Sequence, residues 1–379
     1  MVQTNELMVY EGKPFGNIMM KSSYQELIGL GFEPGDSVNV SFSNSTVLED
    51  IPFLSGCVLP EGTICLNAYS GFDWIRIEKR FGGVWNPCHM TGTETGRILL
   101  NEHGKYKILQ EVFGTNFAIS RELYSDDEVF TNYRSLSGGM IRKGNVYRSV
   151  ASFDPIHNDG DYYIRQRCLD RLLERDGIRF VLNMTCDREK AEEFFSSGKY
   201  DGFYIQKLYE EGKVISMQFP PDFLGTEFRN MFAAGLRAMI AHMGPYLIQC
   251  RAGLDRTGFL CCVLEALMGA DKTEITDDYM RSFECLAGLT RDGDRKKYDL
   301  LSLCQTDRIL EILTRGESVP RSLSAILSAG NMIREENNRD PMYTAANLSA
   351  SAVKYLLECG MTPDEIDELK RILGTSLFC

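Results

Sequence analysis

The chain has 379 residues, 44% hydrophobic and 25% charged, with a formal net charge of −12. This is the composition of a globular protein long enough for two domains, and no low-complexity tract or internal repeat interrupts it. An acidic surface repels nucleic acid and anionic membranes, so neither is expected as a partner. The opening "MVQTNELMVYEGKPF" has no basic n-region and no apolar h-region, and predicts no secretory signal. "FLCCVLEALMGA" from Phe259 is too short to span a bilayer and is broken by Glu265, so no membrane insertion is expected. Twelve cysteines without CxxC or zinc spacing, and four histidines without a ligand motif, predict a reducing, cytoplasmic setting and no metal.

In chain order, the first part reads as β-rich. "DSVNVSFSNS" (36–45), "GTICLNA" (62–68) and "DWIRIEKR" (73–80) alternate apolar and polar residues, and "GFEPGD" and "VLPEGT" are turn-like. The Gly- and Ser-rich "SLSGGMIRKG" (135–144) is the expected boundary, dividing an accessory domain (1–136) from a second domain (137–379). Beyond it, "IRFVLNM" (178–184), "KVISMQF" (213–219) and "PYLIQC" (245–250) read as buried strands. Between and after them, "DREKAEEFFSSGKYDG", "GTEFRNMFAAGLRAMIAHMG" and "TGFLCCVLEALMG" read as helices. Strands alternating with helices imply a mostly parallel sheet flanked by helices. The tail from about Asp299 is helical. "TPDEIDELKRILG" has a Thr cap, an early Pro and acids, late Lys-Arg and a closing Gly.

The chemistry concentrates in "QCRAGLDRTG" (249–258). Cys-x5-Arg also occurs as "CLAGLTR" (285–291), but Cys285 ends a polar helix-like run and no apolar helix follows Arg291. Cys250 instead ends an apolar strand, and an apolar helix begins beyond Thr257. The loop between lies at the carboxyl edge of the sheet, where open α/β folds bind ligands. Its amides at Arg251, Ala252, Gly253 and Leu254, with the helix N-terminus, suit a tetrahedral oxyanion, and Arg256 adds a bidentate fork. The same field favours a thiolate: lowering a cysteine from about 8.5 to about 5.5 takes roughly 4 kcal/mol. A thiolate there can attack phosphorus in line. Thr257 can donate its hydroxyl to the sulfur or simply cap the helix. Asp255 is the candidate general acid, or else a loop-fixing carboxylate. Asp222 in "FPPDF" is the alternative acid, and Asp187 in "TCDREK" a weaker one.

These residues resemble the protein tyrosine phosphatase superfamily, and "CRAGLDRTG" is similar to the CxAGKDRTG loop of its bacterial tyrosine and dual-specificity branch. Within that family the aspartate inside the loop is a candidate acid, which favours Asp255. "NVYRSVAS" (145–152), "DGIRFVLNMTCDREK", "ALMGADKTEITDDYMRS" and "SAVKYLLECGMTPDEIDELKRIL" resemble further segments of it, so the resemblance covers the chain from about residue 140 onward. It implies a cysteine-dependent phosphatase that hydrolyses a phosphate monoester of the phosphotyrosine type through a phosphocysteine intermediate. No cofactor is implied, and the partner is a phosphorylated protein or small phosphate ester. Three positions depart from the pattern. Gln249 replaces the usual His before the cysteine, Leu254 a common Lys, and Asn183 a usual Asp, while Arg251 restores some basic character. These departures keep open a weak or inactive phosphate-binding module. The Asp-Arg-Thr ending keeps open a phosphoinositide or inositol phosphate phosphatase.

The first domain resembles another family. "KPFGNIMMKSSYQELIGLGFEPGDSVNV" and "LNAYSGFDWIRIEKRFG" are similar to the C-terminal β-barrel of S-adenosylmethionine hydroxide adenosyltransferases. That resemblance implies a barrel-like domain and draws attention to Phe15, Asn17 and Phe72. Lys21 stands where the related motif has an Asn. An adenosyl or nucleotide ligand, or a protein partner, is the expected occupant. The expected fold class is α/β: a β-rich barrel-like domain, then a phosphatase domain with a mostly parallel central sheet and flanking helices.

Overall fold

Period-two alternation in the first hundred residues closes a barrel. A computed structural model of the chain describes residues 2–13, 15–70, 72–80, 82–115, 117, 120–218, 221–317, 326 and 340–374. The strands are β1 (Leu7–Gly12), β2 (Asn17–Met20), β3 (Ser37–Phe42), β4 (Val47–Leu54), β5 (Ile64–Ala68), β6 (Ile75–Lys79) and β7 (Thr95–Glu102). They close in the order β1-β2-β6-β5-β4-β3-β7, antiparallel except where β4 meets β5. Val38, Val40, Phe42, Leu66, Ala68, Ile75 and Ile77, at alternate positions, fill the interior. Each of the larger of these side chains taken from water is worth about 1.5–3 kcal/mol, and closure removes the sheet's edges. The barrel-like domain expected from sequence is therefore a closed seven-stranded barrel. Helix α1 (Tyr24–Gly29) starts at a capping box made by Ser23 and Glu26, and α2 (Lys107–Phe113) follows β7. Of the residues singled out, Asn17 is buried at the start of β2, and Phe15 and Phe72 are half-buried. Phe72 packs on Trp74 at 4.9 Å.

The chain forms two compact units. One comprises residues 1–117 with 295–304 and 320–330, the other 118–294 with 305–319 and 331–379. The stretch 135–144 thus lies inside the second unit, whose first strand β8 (Arg134–Ser135) precedes it. Helix α10 (Arg295–Ser302), read from sequence as the start of the helical tail, belongs with the barrel unit.

In the second unit, β9 (Val146–Ser149), β10 (Phe180–Asn183), β11 (Val214–Ser216) and β12 (Tyr246–Gln249) join β8 in one sheet of order β11-β10-β12-β9-β8. All neighbours are parallel except β8 and β9. The helices of this unit begin with α3 (Asp127–Phe130), α4 (Gly160–Arg175), α5 (Arg188–Ser196) and α6 (Tyr204–Glu210). They continue with α7 (Thr226–Ala241), α8 (Asp255–Leu267) and α9 (Lys272–Ala287). The strand β12 is central and buried throughout, and twelve of the thirteen residues of α8 are buried. This explains why both read as unbroken apolar runs. Thr362 and Glu365 cap the last helix (Pro363–Gly374) reciprocally, as the sequence suggests. Phe219, expected at the end of a strand, lies outside the described residues. No helix among the described residues is long and apolar enough to cross a membrane.

Candidate active site

The decapeptide forms a strand–loop–helix turn. Strand β12 ends at Gln249, Cys250 follows, and α8 begins at Asp255, two residues earlier than its apolar run suggests. Gly253 has φ of +65°. A β-carbon there would stand 2.2 Å from the Ser149 carbonyl oxygen, so the loop can press against the end of β9 only with glycine. Cys250, Gly253, Leu254, Arg256, Thr257 and Gln249 are buried, Ala252 and Asp255 half-buried, and Arg251 exposed.

Three successive loop carbonyls are held from outside. Ala151 N–H donates to the Arg251 carbonyl at 3.1 Å. The Asn132 amide donates to the carbonyls of Ala252 at 3.3 Å and Gly253 at 3.4 Å. Arg148 Nη2 donates to the Gly253 carbonyl at 2.8 Å. In a trans peptide the N–H points opposite its carbonyl, so the amides of Ala252 and Leu254 turn inward. The Gly253 N–H closes the turn on the Cys250 carbonyl at 3.2 Å. Arg256, in the first turn of α8, donates through Nη1 to the Met184 carbonyl at the end of β10.

The departures noted in the sequence meet each other. Asn183 and Gln249 are register partners on β10 and β12. Gln249 Nε2 donates to Asn183 Oδ1 at 3.2 Å, and Gln249 Oε1 accepts from Ser152 N–H at 2.9 Å. Asn183 Nδ2 in turn donates to Ser216 Oγ at 3.1 Å. A chain of neutral amides thus ties three strand ends together beside Cys250, with the Cys186 thiol also on the Asn183 amide at 3.5 Å.

The rim is less basic than its composition suggests. Arg251 Nε pairs with Asp154 Oδ2 at 2.9 Å, the arginine side chain 45% exposed and the aspartate 3%. Nearby, burial and then the Arg251 charge hold the His157 imidazole below its usual range, outweighing Asp154. Asp222 is exposed, and the residue after it is pinned to α8: the Phe223 ring stacks on Phe259 with centroids 4.0 Å apart. The Tyr355 hydroxyl also donates to the Phe223 carbonyl at 2.6 Å. Asp187 caps α5 by accepting from Lys190 N–H at 2.9 Å, a structural role. The Thr257 hydroxyl is buried and has no hydrogen-bond partner among the described residues. Cys285, of the second Cys-x5-Arg, lies buried inside α9.

The thiols of Cys186 and Cys261 are poor nucleophiles. Burial pushes Cys186 and Cys261 up to about 12, which keeps them protonated. Among the described residues no group of three or more His, Cys, Asp or Glu side chains is placed to hold a metal. The residues that sequence reasoning missed are Asn132, Arg134, Arg148, Asp154 and Asp278. "NVYRSVAS" and "ITDDYMRS" contain Arg148 and Asp278, yet nothing in their local pattern says that they meet.

A thiol thus lies between the carboxyl end of a central parallel strand and a helix N-terminus, with arginine in the first helical turn. The chain belongs to the tyrosine phosphatase family, whose model matches residues 183–375. A tyrosine-protein phosphatase from Nostoc commune is 25% identical over 182 residues, which cover 42% of this chain and 58% of that protein. The match thus spans little more than half of that relative. Among solved structures, P. aeruginosa TpbA is similar over 47% of this chain and 92% of its own, with 16% identity and a TM-score of 0.25.

Proposed function

We propose that this protein is a cysteine-dependent phosphomonoesterase acting on a phosphotyrosine-type ester. The observation that carries the reading is the position of Cys250, directly after the central strand β12, in a loop that leads into α8 with Arg256 in its first turn. In the first step the Cys250 thiolate attacks phosphorus. The S–P bond forms as the ester P–O bond breaks, and Asp255 gives its proton to the leaving oxygen. In the second, water attacks phosphorus and the S–P bond breaks, releasing inorganic phosphate and the thiolate. The water's proton returns to Asp255. Amide dipoles and the Arg256 guanidinium stabilise the charge on the equatorial oxygens. Thr257, a buried hydroxyl without another partner, donates to the sulfur as it leaves.

The Arg251–Asp154 pair favours a singly phosphorylated substrate over a polyphosphorylated inositol, because a buried carboxylate offsets the rim cation. The test is hydrolysis of p-nitrophenyl phosphate by wild type and Cys250→Ser, with EDTA present. Turnover is expected only in wild type and is insensitive to chelator. Equal turnover in both, or its loss with EDTA, sinks the mechanism. A second reading, a phosphate-binding module without turnover, draws on Gln249 and predicts phosphate binding by a wild type that hydrolyses nothing.

A further inference from the structure

Beside the loop lies a partly buried ionic cluster that the reaction as described does not use. Asp278, on α9, accepts from Arg134 Nε at 2.7 Å through one carboxylate oxygen. Its other carboxylate oxygen accepts from Arg148 Nη1 at 2.5 Å. Arg134 Nη2 reaches the Asp278 carbonyl at 2.5 Å and Ser282 Oγ at 3.1 Å. Arg148 Nη2 reaches the same hydroxyl at 3.3 Å. Arg134 Nη1 donates to Asn132 Oδ1 at 2.5 Å, which fixes that amide with its Nδ2 toward the loop. Each side of the cluster therefore ends on a loop carbonyl: Arg148 on Gly253, and Asn132 on both Ala252 and Gly253.

We infer that Arg148 and Asn132, locked by Asp278 and Arg134, are positioning residues that hold the Gly253–Leu254 peptide in the one orientation that presents the Leu254 N–H to a phosphoryl anion. This rests on the loop being a phosphate site, as proposed above. The physical reason is that a loop has two states available to each peptide plane. Without an external donor, the carbonyl of Gly253 can rotate inward, where its partial negative charge repels the anion. A buried guanidinium bridging a carboxylate and a carbonyl excludes that state, because turning the carbonyl away leaves a buried N–H unpaired. Lysine cannot replace it. One ammonium is a point donor, whereas Arg148 engages Asp278 and Gly253 through different nitrogens.

The cluster also carries field. Burial, followed by the Asp278 charge, pushes the Glu265 carboxyl on α8 well above its usual range, against the pull of both arginines. Burial alone raises the Asp278 carboxyl, but Arg134 and Arg148 outweigh it and hold it below the usual carboxylate range. With Glu265 protonated, two cations face one anion on the far side of the loop from the phosphate, and the excess positive charge favours a bound anion.

The test uses full-length Arg148→Lys and Asn132→Asp. The first keeps a cation for Asp278, and the second keeps the acceptor for Arg134 at unchanged volume. Inorganic phosphate binding is measured calorimetrically in the Cys250→Ser background, and kcat and KM for p-nitrophenyl phosphate in the active background. Circular dichroism and thermal melts establish folding. Each variant is expected to bind phosphate about 10-fold or more weakly and to lose about 10²-fold in kcat, the scale of one removed oxyanion donor. Folded variants with wild-type phosphate affinity and kcat overturn the inference. If one variant fails to fold, the other decides. If neither folds, Ser282→Ala decides. It removes only the shared hydroxyl, and a folded variant with unchanged phosphate affinity overturns the inference. A wild type that binds phosphate but never turns over, with affinity still lost in the variants, defeats the phosphatase reading and leaves this one standing. A wild type that does not bind phosphate defeats both.

Discussion

Substituting Gly253 by alanine tests whether the loop geometry, rather than the mere presence of Cys250 and Arg256, makes the site. The new β-carbon would lie 2.2 Å from the Ser149 carbonyl oxygen, 2.6 Å from its carbon and 3.0 Å from Asn132 Nδ2. Two of these atoms are backbone at the end of β9, and Ser149 is held in register against Gln249 of β12. The strand cannot yield, so the loop must. Opening the contact to an ordinary carbon–oxygen separation of about 3.3 Å moves the loop by about 1 Å. A misplacement of that size at a reacting centre costs about 10²-fold in rate. The φ of +65° adds about 1–2 kcal/mol of backbone strain for any residue but glycine. Gly269, just past α8, is the control: its φ is +84°, and an added β-carbon meets nothing within 4 Å. By thermal melt Gly269→Ala should therefore lose only the backbone-strain contribution, and Gly253→Ala that contribution plus the cost of the displaced loop. Only Gly253→Ala should lose kcat/KM for p-nitrophenyl phosphate, by about 100-fold, and bind inorganic phosphate more weakly. A Gly253→Ala enzyme with wild-type kinetics would refute the argument that a backbone clash sets the cradle.

Further predictions follow from the same contacts. Asp255→Asn should slow aryl phosphates with poor leaving groups most, while Asp222→Asn leaves the leaving-group dependence of kcat unchanged; the reverse outcome transfers the acid's role to Asp222. Iodoacetamide should alkylate Cys250 in preference to Cys186 and Cys261, detected by peptide mass spectrometry. Labelling of Cys186 or Cys261, whose thiols burial raises to about 12, would contradict their assignment as inert. Glu265→Gln should change how stability depends on pH. The folded chain keeps a proton on Glu265 that the unfolded chain releases above about 4.5, so wild-type stability falls as pH rises through that value. The loss is at most about 1.4 kcal/mol per pH unit, and the glutamine variant lacks it. The stability difference between variant and wild type should therefore move in the variant's favour from pH 5 to pH 7, and a constant difference rejects a protonated Glu265.

Much of the fold was legible because its signals are local. Alternation at 36–45, 62–68 and 73–80 marked β3, β5 and β6, since a half-buried strand must show one face to the core. Strands β1, β2, β4 and β7 were not singled out, and that they close into a barrel was implied only by resemblance. The sharp turn at Gly253 was visible because a positive φ favours glycine, and the cap at Thr362 because a short hydroxyl or carboxyl side chain is needed there.

What the amino-acid order determined by itself is the nucleophile loop. Strand, thiol, glycine turn, arginine and helix lie within ten consecutive residues, and chain connectivity alone brings them together. Only the tertiary structure decided what holds that loop and what sets its charge. Arg148 is 105 residues from Gly253, Asn132 is 120 from Ala252, and Asp278 is 130 from Arg148. Asp154, which offsets Arg251, is 97 residues from it. Gln249 and Asn183, two separate departures in the sequence, become one hydrogen-bonded pair only because β10 and β12 lie side by side. Such contacts depend on which strands pair and which helix covers them, and sheet topology is a property of the whole packed core rather than of any short segment.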